Sequence, residues 1–178
     1  MTLVYEPAED SYILESIIPR YAKNKSVLDM CSGSGILAKK AKSEGAKSVI
    51  AVDINPDAIK SIKKQKTNIK ATQSNLFSKV NGKFDLIICN PPYLPEDKRE
   101  PKDSQKATTG GKKGDEFILK FLKQAVNHLN KNGIILLLLS SLTPQGKVKL
   151  LLINQGMKHK VITTKKIFFE TLQVWEIK

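Results

Sequence analysis

Cysteine, histidine, arginine and tryptophan are all scarce in this chain of 178 residues. Two cysteines, Cys31 and Cys89, are too few for the disulfide framework of a small secreted protein. Each lies in an apolar or glycine-rich context, which fits reduced thiols in a cytoplasmic protein. A pairing between them stays open, because both fall at strand ends. The two histidines, His128 in a helical pattern and His159 near a turn, form no cluster with metal-ligand spacing and read as structural or solvent-facing. The longest apolar run, 133–139, suits a buried strand and is far too short to cross a membrane. The opening residues lack a basic stretch followed by an apolar one, so no secretory leader is expected.

Lysine, by contrast, is abundant. There are 30 basic residues against 17 acidic ones, a net charge of +13, and only Arg20 and Arg99 are arginines. This balance favours polyanionic partners and leaves direct nucleic-acid binding open, but the lysines are spread along the whole chain rather than gathered into one patch. A hydrophobic content of 40% over this length supports one core, so a single domain over 1–178 is expected.

Along the chain, the spacing of Ile13, Leu14, Ile17 and Ile18 predicts a helix over 7–18, with Pro7 at its start and Pro19 ending it. Strand and helix then alternate: strands at 26–30, 48–53, 84–89 and 134–140, a weak strand between Ile69 and Ser74, and helices at 35–43, 56–66, 116–129 and 145–154. The central strands are continuous apolar runs, as expected for a parallel sheet buried on both faces. Two strands with no helix between them, 160–164 and 172–177, predict a closing hairpin that adds an antiparallel strand. The expectation is a Rossmann-like α/β fold with a seven-stranded, mostly parallel sheet and helices on both faces. The stretch 95–113, rich in charge, Gly and Thr, reads as a long mobile loop that closes over the substrate.

Three motifs carry chemistry. The first strand runs into Asp29-Met30-Cys31-Ser32-Gly33-Ser34-Gly35, where Gly33 and Gly35 permit a tight turn and close approach to a ligand at a helix N-terminus. The second strand ends at Asp53, whose carboxylate can accept both hydroxyls of a ribose. Gly33-x-Gly35-x-x-Ala38 also fits a dinucleotide fingerprint, so NAD remains an alternative. Asp29 argues for S-adenosylmethionine instead: a carboxylate there would repel a pyrophosphate but suits a cationic amino-acid end. A loop-capping Asp with no ligand is the plainer reading of the same residue.

The third motif, Asn90-Pro91-Pro92-Tyr93, directly follows a buried strand. Prolines fix the backbone and donate no hydrogen bonds, leaving carbonyl groups to accept them. An amide or aromatic amino nitrogen is a poor nucleophile because its lone pair is delocalised. The Asn90 side-chain oxygen and the Pro91 carbonyl can each accept one hydrogen from an NH2 group, aligning it and stabilising charge that develops on nitrogen. Tyr93 can pack on the planar group. A rigid turn would use the same residues, but its place after the glycine loop and Asp53 favours methyl transfer.

With these residues in hand, the chain resembles the class I S-adenosylmethionine-dependent methyltransferases, and within them the HemK family of protein glutamine methyltransferases. The match is carried by Tyr5-Glu6-Pro7-Ala8-Glu9-Asp10-Ser11, the glycine loop, Asp53-Ile54-Asn55-Pro56, Asn75-Leu76-Phe77, Asn90-Pro91-Pro92-Tyr93 and Gly110-Gly111. Bacterial members carry an extra N-terminal helical domain for which this chain has no room, so it is similar to the short archaeal and eukaryotic branch. The resemblance implies transfer of methyl from S-adenosylmethionine, leaving S-adenosylhomocysteine, to the glutamine of the Gly-Gly-Gln motif in a class 1 translation release factor. It implies that residues 1–20 cover the cofactor site, with Ser11 near the methionine moiety, and that Asp29 and Cys31 line the loop. Asp53 and Ile54 would lie at the ribose, Asn75 and Leu76 at the adenine, and Asn90 against both donor and acceptor. Cys31 stands where the family has glycine, and Asn75 where it has Asp. The resemblance also implies a small zinc-binding activator on the edge strand between Ile69 and Ser74, which would cover an exposed sheet edge. An RNA or DNA exocyclic-amine methyltransferase is the alternative enzyme, and a non-catalytic cofactor-binding protein is the alternative outside enzymes.

Overall fold

The computed structural model describes residues 4–178, with the side chains at 102, 103 and 106 left out. The opening residues 1–3 of the expected N-terminal cover therefore lie outside the described part. Six of the seven strands run parallel: β1 (Ser26–Met30), β2 (Ser48–Asp53), β3 (Lys70–Gln73), β4 (Phe84–Cys89), β5 (Leu129–Ser140) and β6 (His159–Ile167). The last strand, β7 (Glu170–Ile177), inserts antiparallel between β5 and β6, giving the order β3-β2-β1-β4-β5-β7-β6. The helices are α1 (Glu9–Ile17), α2 (Ile36–Ser43), α3 (Pro56–Lys64), α4 (Lys102–Thr108), α5 (Glu116–Ala125) and α6 (Gln145–Asn154). Among the described residues no helix is long and apolar enough to cross a membrane.

Side-chain alternation along the strands explains the three layers. Successive residues of a strand point to opposite faces. Leu86 and Ile88 of β4 pack with Leu14, Leu37, Ile59 and Ile62 of α1 to α3, while Ile87 and Cys89 pack with Ile118, Phe121 and Leu122 of α5 and Leu152 of α6. Both sets are apolar because both faces are covered. Burying each such side chain contributes roughly 1.5–3 kcal/mol.

The structure departs from the sequence expectations in three places. Strand β5 begins at Leu129, not at 134; residues 130–133 form an irregularity inside it, where the register against β4 shifts between Phe84 and Leu86. Gly133 permits this, since a Cβ there would stand 2.9 Å from the Phe84 carbonyl. The helix expected to run to 129 ends at Ala125 and tightens into a 3-10 turn over Val126–His128. The stretch 95–113 is not one open loop. Pro101 presets the backbone for α4, Glu100 accepts hydrogen bonds from Ser104 and Thr108, and Leu94 forms a bridge with Thr109.

The sheet's order places the functional motifs. The chain moves outward from β1 through β2 to β3, then returns to β4 on the other side of β1. The C-terminal ends of β1 and β4 therefore diverge into loops on opposite faces and leave a crevice, the usual ligand position in an open α/β sheet. Gly35 caps α2 at this crevice with φ 79°, and a Cβ on it would come within 2.8 Å of Ile62 Cγ1. Gly82 has a similar φ of 89° but open space around it. Both Gly35→Ala and Gly82→Ala should lose about 1–2 kcal/mol to the left-handed backbone. Gly35→Ala should lose more, because only there does a side chain stand in the way. Urea denaturation midpoints of the two variants measure the difference.

Candidate active site

A cavity of about 490 Å³ opens at this crevice. It falls within the range of roughly 300–1,000 Å³ typical of small-molecule sites. Eleven of the thirteen sequence-predicted site residues line it: Ser11, Cys31, Gly33, Asp53, Ile54, Asn75, Leu76, Asn90, Pro91, Pro92 and Tyr93. Asp29 and Gly35 stand behind the wall. Gly35 serves the packing of α2 on α3 described above.

Asp29 is fully buried at the end of β1. Its Oδ2 accepts the N–H of Ala38 in the first turn of α2 at 2.9 Å, and its Oδ1 has no hydrogen-bond partner. Burial pushes its carboxyl up to about 8, and the charge of Asp53 adds to that, against the Ala38 N–H. Through Oδ2 the side chain ties the loop to its helix, a structural role beside the expected one toward a cationic ligand end. Cys31, by contrast, reaches the cavity with φ 62°, the left-handed region where glycine is easiest. Cys31 and Cys89 are free thiols in contact with one another, and burial with that neighbour drives the Cys89 thiol well up.

Asp53 accepts the N–H of Gly33 at 2.8 Å through Oδ2 and that of Asn55 at 2.8 Å through Oδ1. Burial raises its carboxyl above the ordinary range despite these bonds. The bonds hold both oxygens in one plane at the cavity, and each keeps a lone pair for a further donor. Leu76 sits at φ 49° in the turn after β3, where Ser74 Oγ donates to its carbonyl at 2.9 Å and accepts from Lys79 N at 3.0 Å. Ser74 thus shapes the wall expected at an adenine, and it too lines the cavity.

The largest omission from the sequence reading is Asp10. Its place in the first turn of a helix explains it as a dipole partner, and nothing local hints at more. In the structure it is buried and collects four hydrogen bonds. Tyr5 Oη donates to Oδ2 at 2.8 Å, Tyr93 Oη reaches the same oxygen at 3.5 Å, and Ser11 donates to Oδ1 through its N–H at 2.6 Å and its hydroxyl at 3.2 Å. Ser11 Oγ accepts in turn from Asn90 Nδ2 at 3.5 Å. Burial and the nearby Asp10 charge raise the hydroxyl pKa values of Tyr5 and Tyr93, so both stay protonated as donors. With Nδ2 turned to Ser11, Asn90 leaves its buried Oδ1 without a partner. An unsatisfied buried acceptor costs about 1–3 kcal/mol, which a ligand donor in the cavity would recover. Ser32 Oγ, also on the lining, is a second such atom.

Glycines hold the tetrapeptide from behind. A Cβ on Gly110 would lie 2.7 Å from the Pro92 carbonyl and 2.5 Å from that of Gly114, and one on Gly114 would lie 2.6 Å from the Tyr93 carbonyl. Gly110 and Gly114 are thus a close backbone seat for the Asn-Pro-Pro-Tyr turn. The histidines take structural places, as expected: His128 stacks on Phe77 and His159 on Trp175. Among the described residues no group of His, Cys, Asp and Glu has the arrangement of a metal site.

The model of the family described as methyltransferase small domain matches residues 9–169. A protein of Methanocaldococcus jannaschii, provisionally named a protein N5-glutamine methyltransferase, is 40% identical over 96% of this chain and 89% of its own length. This chain belongs to the methyltransferase small-domain family, as a HemK-type member. The release factor glutamine methyltransferase of Borreliella burgdorferi is 35% identical over 64% of the chain, which spans 44% of that relative's length. Among solved structures, the Mtq2-Trm112 complex of E. cuniculi, responsible for methylation of the eRF1 translation termination factor, superposes with a TM-score of 0.80 at 24% identity, covering 98% of each chain. That likeness establishes the Rossmann-like fold for the HemK-type chain.

Asp29 supplies a pH signature. Its ordinary value is 3.8 and its folded value about 8, so between these the folded protein holds a proton that the unfolded chain has lost. Stability therefore falls as pH rises through this window, and the loss is complete above about pH 8. Asp29→Asn, which keeps an acceptor for Ala38, should gain thermal stability relative to the parent as pH rises. The gain in Tm should be at least about 2–4 °C larger at pH 9 than at pH 5, equivalent to ~1 kcal/mol. A Tm difference that does not change between those pH values would refute it.

Proposed function

We propose that this protein transfers a methyl group from S-adenosylmethionine to the side-chain amide nitrogen of the glutamine in the Gly-Gly-Gln motif of a class 1 translation release factor. The observation that carries this reading is the Asn90 amide on the cavity lining, whose Nδ2 is turned to Ser11 and whose buried Oδ1 has no hydrogen-bond partner. The names of the Methanocaldococcus and Borreliella relatives support a glutamine acceptor and, for the latter, a release factor.

The donor fits the residues present. Asp53 offers two fixed carboxylate oxygens to a ribose, Ile54 and Leu76 offer apolar walls, Asn75 offers an amide for the adenine edge, and Ser11, Cys31 and Gly33 border the methionine end. When bound, S-adenosylmethionine supplies a methyl group on a sulfonium sulfur and leaves as S-adenosylhomocysteine. The chain's own task is to present the acceptor. Asn90 Oδ1 and the Pro91 carbonyl take the two hydrogens of the glutamine NH2 group, which turns the nitrogen toward the donor. As the N–C bond forms, positive charge grows on nitrogen, and the two oxygens stabilise it. The nitrogen then loses one of its two hydrogens as a proton to solvent. Tyr93, fixed through Asp10, flanks the amide plane, and the segment from Tyr5 to Arg20 covers the site.

A small zinc-binding activator pairs with the β3 edge in this reading. Strand β3 has only four residues, and the nearby Ile54 side chain is exposed. The two-chain assembly in the E. cuniculi structure supports such a partner.

The decisive experiment is transfer of labelled methyl to a purified class 1 release factor, with and without the activator, followed by mass mapping. Label on the Gly-Gly-Gln glutamine is expected. Label on bulk RNA with none on protein would turn the assignment to exocyclic amines. Asn90→Ala should lower kcat by about 100-fold or more. Asp10→Asn should lower kcat by roughly tenfold, because it weakens a charge-assisted network without touching the acceptor. A parental rate in Asp10→Asn would show that Asn90 needs no such support.

A further inference from the structure

The turn between β6 and β7 holds two side chains that neither the fold nor the transfer chemistry uses. Phe168 and Phe169 are 97% and 95% exposed. Ile167 pairs with Glu170, so the two phenylalanines alone make the loop. Two-residue hairpin loops favour Gly, Asn and Asp, and phenylalanine contributes neither turn geometry nor burial there. Exposed adjacent aromatics instead mark contact surfaces, where rigid rings bury large area at low entropic cost.

The strands behind this tip are tied to residues next to the candidate active site. Beyond it, Glu170 is hydrogen-bonded by Ser140 Oγ, and Ser141 and Thr171 bond each other twice at 2.9 Å. In the same segment Thr143 Oγ1 donates to the Tyr93 carbonyl at 3.1 Å, and Leu142 between them is exposed. On the other strand Lys165 forms an ion pair with Glu9, next in sequence to Asp10. The charge of Glu170 is felt at the hydroxyls of Tyr5 and Tyr93. The hairpin is thus braced against both the tetrapeptide and α1, with both rings of its turn exposed.

Local charge selects the kind of occupant. The chain as a whole carries +13, but near this turn Lys165 is paired with Glu9, and the neighbouring Lys166 is matched in the same hairpin by Glu170. A phosphate backbone gains little from such a balanced surface, whereas an apolar protein surface is suited to it. We propose that Phe168, Phe169 and Leu142 form the docking surface for the protein substrate, gripping an apolar patch that flanks the acceptor loop while the glutamine reaches Asn90. The inference rests on the proposed protein-glutamine reaction and adds the element that recognises the folded substrate.

The test is a double variant, Phe168→Ser with Phe169→Ser, in the full chain with activator present. It compares intact release factor with a short peptide spanning the Gly-Gly-Gln motif. On the intact factor KM should rise about tenfold or more with kcat within about twofold of the parent. The rate on the peptide and the Tm should not change. An unchanged KM on the intact factor overturns the inference, as does an equal loss on peptide and factor. Loss of RNA binding or of self-association with KM intact overturns it too, by assigning the tip to another partner. A parent enzyme that transfers no methyl to the factor overturns the reading of function and this inference with it. Methylation by the parent with an indifferent double variant overturns the inference alone.

Discussion

The pairing of β1 with both β2 and β4 is the constraint from which the site follows. The chain must leave β1 in one direction and return to its other side, so the loops after β1 and β4 part company at the sheet's centre. Everything chemical sits at that parting: the glycine loop after β1, Asp53 after β2 and the tetrapeptide after β4. The apolar cost of such an arrangement is high, since the central strands must be buried on both faces. Continuous runs such as Ile87-Ile88 and Leu136-Leu137-Leu138-Leu139 supply it.

Polar atoms within this crevice are held with little redundancy. Asp53 is fixed by two backbone donors, Asp29 is committed to the start of α2, and Asp10 gathers two tyrosines and a serine. The consequence is a preorganised wall in which Asn90 keeps one acceptor open. Preorganised acceptors favour a donor group whose charge grows during reaction, since no reorganisation is required at that moment. The same economy explains the glycines. Gly35, Gly110 and Gly114 stand where another element passes too near for a Cβ, so the motif that a ligand approaches is itself seated by bare backbone.

A small α/β fold of this kind must also find its substrate. A crevice of about 490 Å³ is of small-molecule size, so recognition of anything larger falls to surfaces outside it. Strand β7, antiparallel in an otherwise parallel sheet, makes one such surface possible. Its insertion returns the chain by a tight turn rather than a helix, and the turn lies on the side of the sheet that carries Tyr93 and α1.

The amino-acid sequence by itself determined the alternation of strands and helices, the parallel sheet with its antiparallel closing strand, and the motifs whose residues meet at the cavity. Strands β1, β2 and β4 fall on the residues expected, because burial on both faces writes a continuous apolar run bounded by turn residues. Glycine, proline and asparagine likewise mark loops by local backbone preference. Tertiary structure alone decided what the polar atoms touch. Asp10 reads as an ordinary helix-start carboxylate until Tyr93, 83 residues away, is brought beside it. Asp29 reads as a ligand partner, and the fold shows that α2 also engages one of its two oxygens. The bulge in β5 and the short helix α4 were likewise not legible, since each depends on how closely a distant backbone approaches: Gly133 against Phe84, and the Thr109 bridge against Leu94. Periodicity records which side of an element is dry, whereas hydrogen-bond partners and close approaches are set by residues far apart in the chain.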